Sequence, residues 1–100
     1  MIMITAKATV IEENRDAYLK LCALRVENSR LEAGCLDYGF YEDAMAPGTF
    51  IFVERWRDQA ALDFHFAQRY CLDFIRAVRK LSRAASPIEI HHVTETTTPS

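Results

Sequence analysis

The chain has 100 residues, half of them apolar by a broad count and 26% charged, with a formal net charge of -2. This is the size and balance of one globular domain around one core. With no basic block, nucleic acid and anionic membranes are set aside as partners, and no apolar run approaches the ~20 residues a membrane helix needs.

Ile2 to Ile11 predicts a first strand, with Ile2, Ile4, Ala6, Ala8 and Val10 on one face and Met3, Thr5, Lys7, Thr9 and Ile11 on the other. Lys7 is the only cation in this stretch, and no small-residue cleavage site follows, so it reads as a strand of a cytoplasmic protein and not as a signal peptide. Glu12 and Glu13 suit a helix N-terminus and Asn14 its cap. The helix runs to about Glu32, with a stripe of Ala17, Leu21, Leu24 and Leu31 and with Tyr18 and Cys22 alongside. Gly34 is expected to close it in the left-handed conformation. Cys35 to Asp43 predicts a second strand, with Leu36, Tyr38 and Phe40 opposing Cys35, Asp37, Gly39 and Tyr41. Pro47-Gly48 marks a hairpin turn.

Phe50 to Arg57 alternates as a third strand, placing Phe50, Phe52, Glu54 and Trp56 on one face. Asp58 supplies a helix cap, after which Ala61, Leu62, His65 and Phe66 share a stripe. A bend is expected at Ala67 to Tyr70. A helical pattern covers Gln68 to Arg83, with Cys71, Leu72, Phe74, Ile75, Val78 and Leu81 as its apolar positions. Pro87 to Thr94 predicts a fourth strand, and Glu95 to Ser100 a disordered polar tail, leaving 1–94 as the domain.

The order β-α-β-β-α-β is an α+β, ferredoxin-like arrangement, an antiparallel sheet with its helices on one face. Two helices cover one face only, yet Met3, Ile11, Ile51 and Val53 make the other face apolar too, which predicts a homodimer packed sheet to sheet. Cys22, Cys35 and Cys71 are an odd set at wide spacing and read as buried reduced thiols. His91 and His92 are adjacent on a strand and point to opposite faces, so they do not share a metal. Gly34, Gly39 and Gly48 lie too far apart for a phosphate loop.

The runs Glu32-Ala-Gly-Cys-Leu-Asp-Tyr38, Phe50-x-Phe-x-Glu54-x-Trp56-x-Asp58 and Ala61-Leu62-x-x-His65 together resemble the antibiotic biosynthesis monooxygenase superfamily of dimeric α/β barrels. The resemblance implies a dimer of ferredoxin-like protomers, each with a pocket between the sheet and its own helices. Activities in that family include cofactor-independent oxidation of quinols and anthrones, haem degradation, and isomerisation of small sugar-like signals. The oxidative mechanism needs a base, a dry apolar pocket and a few orienting hydrogen bonds, because the deprotonated substrate itself reduces dioxygen. Under this reading His65 is the base, Trp56 a stacking wall and donor, and Glu54 orients His65 or receives a proton. Phe52, Tyr38, Phe66, Tyr70 and Phe74 line the substrate, with no cofactor or metal. Tyr70 stands where several relatives carry a second His. Phe74-Ile75-Arg76 stands where haem-degrading relatives place their iron ligand, which disfavours haem. Phe52 stands where anthrone-oxidising relatives carry Asn.

The leading expectation is therefore a cofactor-independent monooxygenase that oxidises a small aromatic quinol- or anthrone-like compound with dioxygen. The alternatives are an isomerase of a small hydroxy-carbonyl compound, phosphorylated or not, using His65 and Glu54 as acid and base beside a cation, and a non-catalytic dimeric ligand-binding protein with a filled interior. The same residues also make an ordinary core, with His65 bonded to a neighbour, Trp56 as packing and Glu54 paired with Arg76, Arg79 or a partner-chain cation.

Overall fold

The computed structural model describes residues 1–85 and 87–99. In chain order these form β1 (Ile2–Val10), a 3-10 turn at Glu12–Asn14, α1 (Arg15–Arg30), β2 (Cys35–Glu42), β3 (Thr49–Trp56), α2 (Gln59–Phe66), α3 (Arg69–Leu81), β4 (Ser82–Ala85) and β5 (Glu89–His92). All the pairings are antiparallel, in the order β2-β3-β1-β4, with β5 also on β1. The fold is the expected α+β, ferredoxin-like one. No helix among the described residues is long and apolar enough to cross a membrane.

The far edge departs from expectation. β4 pairs with Ala8 to Val10 and β5 with Ile2 to Thr5, so two short strands lie end to end along β1. The predicted strand Pro87 to Thr94 is thus confined to Glu89–His92. The predicted helix stops at Leu81, where its apolar stripe ends, and Ser82 turns extended to begin β4. Residues 95–99 carry no helix or strand, and Ser86 and Ser100, the latter in the predicted tail, lie outside the described residues.

Register builds the inner face. Ile2 opposes Trp56, Ile4 opposes Glu54, Ala6 opposes Phe52 and Ala8 opposes Phe50, while β2 sets Tyr38 against Glu54 and Phe40 against Phe52. A bulge between Cys35 and Asp37 breaks the simple alternation, so Leu36 is exposed although Tyr38 is buried. Gly48, at φ 86, makes the β2–β3 turn, and its carbonyl accepts from the Val10 N–H at 2.8 Å.

The helix α1 buries Tyr18, Cys22, Arg25, Val26 and Ser29, a stripe at i, i+4, i+7, i+8 and i+11. The predicted leucine stripe lies on the neighbouring face, and Leu24 and Leu31 are exposed. Asn14 stands at the N-cap position, but its side-chain amide donates to the Leu81 carbonyl at 3.2 Å and ties the start of α1 to the end of α3. Gly34 is not left-handed. It lacks a side chain because Ala61 packs against it, and a Cβ there would sit 2.3 Å from the Ala61 Cβ. Asp58 caps α2 as expected, its Oδ1 accepting from the Ala61 N–H at 2.9 Å. Ala67 and Gln68 divide α2 from α3. Cys22 and Cys71 are buried and Cys35 partly so, all three as free thiols.

Candidate active site

Two elements meet at the end of the sheet where β3 runs into α2. Because the Asp58 cap starts α2 directly after Trp56, His65 comes to lie over the indole. Both side chains are fully buried, and their ring centroids are 4.2 Å apart. The Nδ1 of His65 is 2.8 Å from Glu32 Oε2, and its Nε2 is 3.3 Å from Arg25 Nη2. A guanidinium has only donors, so Nε2 accepts and Nδ1 carries the proton that is donated to Glu32. The Tyr70 hydroxyl donates to the same Glu32 oxygen. The Cys71 sulfur packs 3.5 Å from Nε2. Burial pulls the imidazole below its ordinary pKa and the Arg25 charge adds to this, while Glu32 opposes it. His65 is thus a neutral ring with both nitrogens engaged.

Further along the same sheet face lies a cavity of about 360 Å³ between the sheet and the helices. Its walls include Phe52 and Tyr38 from the sheet, Arg25 from α1, Phe66 from α2 and Phe74 from α3, with Ala6 and Ala8 on the β1 side. Glu54 is the carboxyl group that lines it. It is 4% exposed, and its Oε1 accepts from the Trp56 indole N–H at 3.0 Å. Burial pushes this carboxyl above its ordinary range, against hydrogen bonds from Trp56 and Tyr38 and the charge of Arg25. Burial likewise raises the Tyr38 phenol.

The structure separates the predicted site residues into two groups. Glu54, Phe52, Tyr38, Phe66 and Phe74 share the cavity wall. Trp56 and His65 are packed behind it and are not among its lining residues, and Tyr70 reaches Glu32 on the far side of the imidazole. His65 takes its carboxylate partner from Glu32, not from Glu54, and the cation that acts on Glu54 is Arg25, not Arg76 or Arg79. Sequence reasoning passed over Arg25. The signal was there, since Arg25 falls in register with Tyr18, Cys22 and Val26, a charge on what is otherwise an apolar stripe.

Comparison with known proteins agrees with this architecture. The family model described as "Antibiotic biosynthesis monooxygenase" matches residues 1–77. "Uncharacterized protein sll1783" of Synechocystis is 34% identical over 97% of this chain, which spans 66% of that relative's length. "Putative monooxygenase YcnE" of Bacillus subtilis is 30% identical over 90% of this chain and 93% of its own. The crystal structure of an antibiotic biosynthesis monooxygenase superimposes with a TM-score of 0.86 at 29% identity, covering 95% of this chain and all of that one. The chain belongs to the antibiotic biosynthesis monooxygenase family.

Proposed function

We propose that this protein is a cofactor-independent monooxygenase that oxidises a small aromatic quinol- or anthrone-like compound with dioxygen. The observation that carries the reading is a buried carboxyl group, Glu54, on the wall of an aromatic-lined cavity large enough for a small ligand. A carboxyl raised by burial is a better proton acceptor than one in water, and it can take the substrate's phenolic or benzylic proton. The anion left behind lies beside the Arg25 guanidinium, and dioxygen takes its electrons. One oxygen atom enters the product as a carbonyl or hydroxyl and the other leaves as water, with all four electrons drawn from the substrate. Trp56 holds Glu54 through its indole N–H, and His65 stands behind as support for Arg25.

The test is dioxygen uptake on a panel of naphthoquinols and anthrones without flavin or metal. Uptake is expected for the native protein, with a fall of about 10²-fold or more in Glu54→Gln. No uptake across the panel overturns the proposal. The isomerase reading draws on Arg25 beside Glu54, but the walls of Phe52, Phe66, Phe74 and Val78 are apolar. Rearrangement of a hydroxy-carbonyl substrate without oxygen uptake would favour it.

The working unit in this proposal is a homodimer joined through the outer sheet face. Met3, Ile51 and Val53 lie there half-buried and Tyr41 exposed, with no helix over them among the described residues. Sedimentation at micromolar concentration should give twice 11.5 kDa, and a species of 11.5 kDa alone rejects the dimer.

A further inference from the structure

Arg25 carries a charge into the interior with little to balance it. The residue is 6% exposed, and among the described residues no carboxylate lies within ion-pairing distance of it. On one side its Nη2 donates to the neutral His65 Nε2 at 3.3 Å, and its guanidinium carbon lies 4.5 Å from the centre of the Phe74 ring. Its Nε is buried without a hydrogen-bond partner. A buried cation normally takes a hydrogen-bonded counter-charge, since burial without one is costly. Here the guanidinium is instead fixed from behind, by Tyr70 on Glu32, Glu32 on His65 and His65 on Arg25, and it lines the cavity.

We propose that the cavity receives an aromatic ligand bearing an anionic oxygen, a carboxylate or an ionised phenol, and that Arg25 is its anchor. The ring would lie among Phe52, Phe66 and Phe74, and the oxygen would accept from the guanidinium N–H groups that His65 does not engage. The inference rests on this cavity being the substrate site of the proposed function, though not on its oxygen chemistry. Glu54 lines the same cavity and opposes an anion while ionised. Burial already raises its pKa and an anion beside it raises it further, so the anion is held with Glu54 protonated, the state reached in the proposed function once the substrate's proton has been taken. The other lining cations, Lys7 and Arg79, are exposed and offer only general attraction.

Calorimetric titration of the full chain with 2-naphthoate and with its neutral analogue 2-naphthamide tests this without any turnover. Naphthoate should bind at least about tenfold more tightly than the amide. The preference should persist in a Lys7→Gln, Arg79→Gln double variant and should fall below about twofold in Arg25→Gln. Should Arg25→Gln fail to fold, Arg25→Lys keeps the buried charge but removes the planar guanidinium and its several donors, and it should weaken naphthoate by about threefold or more while sparing naphthamide. Equal binding of the two probes, binding of neither, a preference that vanishes with Lys7 and Arg79, or an unchanged naphthoate affinity in Arg25→Lys overturns the proposal. Arg25-dependent naphthoate binding without oxygen uptake leaves the anchor standing and rejects the monooxygenase. Uptake with no naphthoate preference does the reverse.

Discussion

The inner face of the sheet is filled at one end and hollow at the other, and β1 makes much of the difference. Ile2 and Ile4 sit opposite Trp56 and Glu54, whereas Ala6 and Ala8 sit opposite Phe52 and Phe50. Ile2 fills the space opposite the indole, Ile4 stands at the boundary with Glu54, and the two methyl groups leave room beside Phe52, where the cavity runs. The two side chains that stand out in the sequence, Trp56 and His65, belong to the filled end. The groups that face the void are Glu54 and Arg25. A conspicuous histidine in this chain therefore lies behind the cavity and not on its wall.

Substitution at the filled end should have the largest effect. Trp56→Ala removes a fully buried indole with His65 at 4.2 Å and Tyr38 at 6.1 Å between ring centroids, and takes the indole donor from Glu54. A loss of about 3–5 kcal/mol is expected from urea unfolding. A loss under about 1 kcal/mol would mean that this end is not the packed one. The converse change is Ala6→Leu at the hollow end. Its added atoms enter existing space, so the loss should stay below the ~1–3 kcal/mol usual for overpacking a tight core. Oxygen uptake and probe binding should fall sharply, because the void itself is taken up. A stable Ala6→Leu protein with full activity would place the ligand elsewhere.

Much of the fold was readable because it follows from local rules. The alternation in Ile2 to Val10 and Phe50 to Trp56 set the inner face correctly, Pro47-Gly48 marked the hairpin, and Asp58 marked the start of α2. What was hidden depended on partners far along the chain. Ser82 to Ala85 has a composition that suits a helix and is extended because β1 offers it an edge. The buried face of α1 is hidden in the sequence because Leu21, Leu24 and Leu31 make a more apolar row than one holding Arg25 and Ser29. A charge ordinarily marks the solvent side of a helix, and here it marks the cavity. Glu32 lies 33 residues from His65, so no spacing rule could pair them. Gly34 looked like a helix terminator, yet what it answers to is the methyl group of Ala61.

The smallest effect expected is in the pH dependence of stability, and the two ends should oppose one another. The folded chain holds His65 below its ordinary value of 6.5, so above 6.5 neither state binds a proton there and the slope is flat. Below it the unfolded chain takes up a proton that the folded chain refuses. Stability then falls with falling pH, by up to about 1.4 kcal/mol per unit, until the lowered folded pKa is reached. Glu54 has the other sign. Its folded pKa is raised from 4.5, so between that value and the raised one the folded chain binds more protons, and stability falls as pH rises. Urea midpoints between about pH 5 and 8 should therefore show a smaller fall toward acid in His65→Gln than in the native protein. In Glu54→Gln the fall toward acid should be steeper, because the opposing contribution is gone while a Gln oxygen can still accept from Trp56. If His65→Gln keeps the full acid slope, the imidazole is not the neutral, enclosed group from which the support of Arg25 follows.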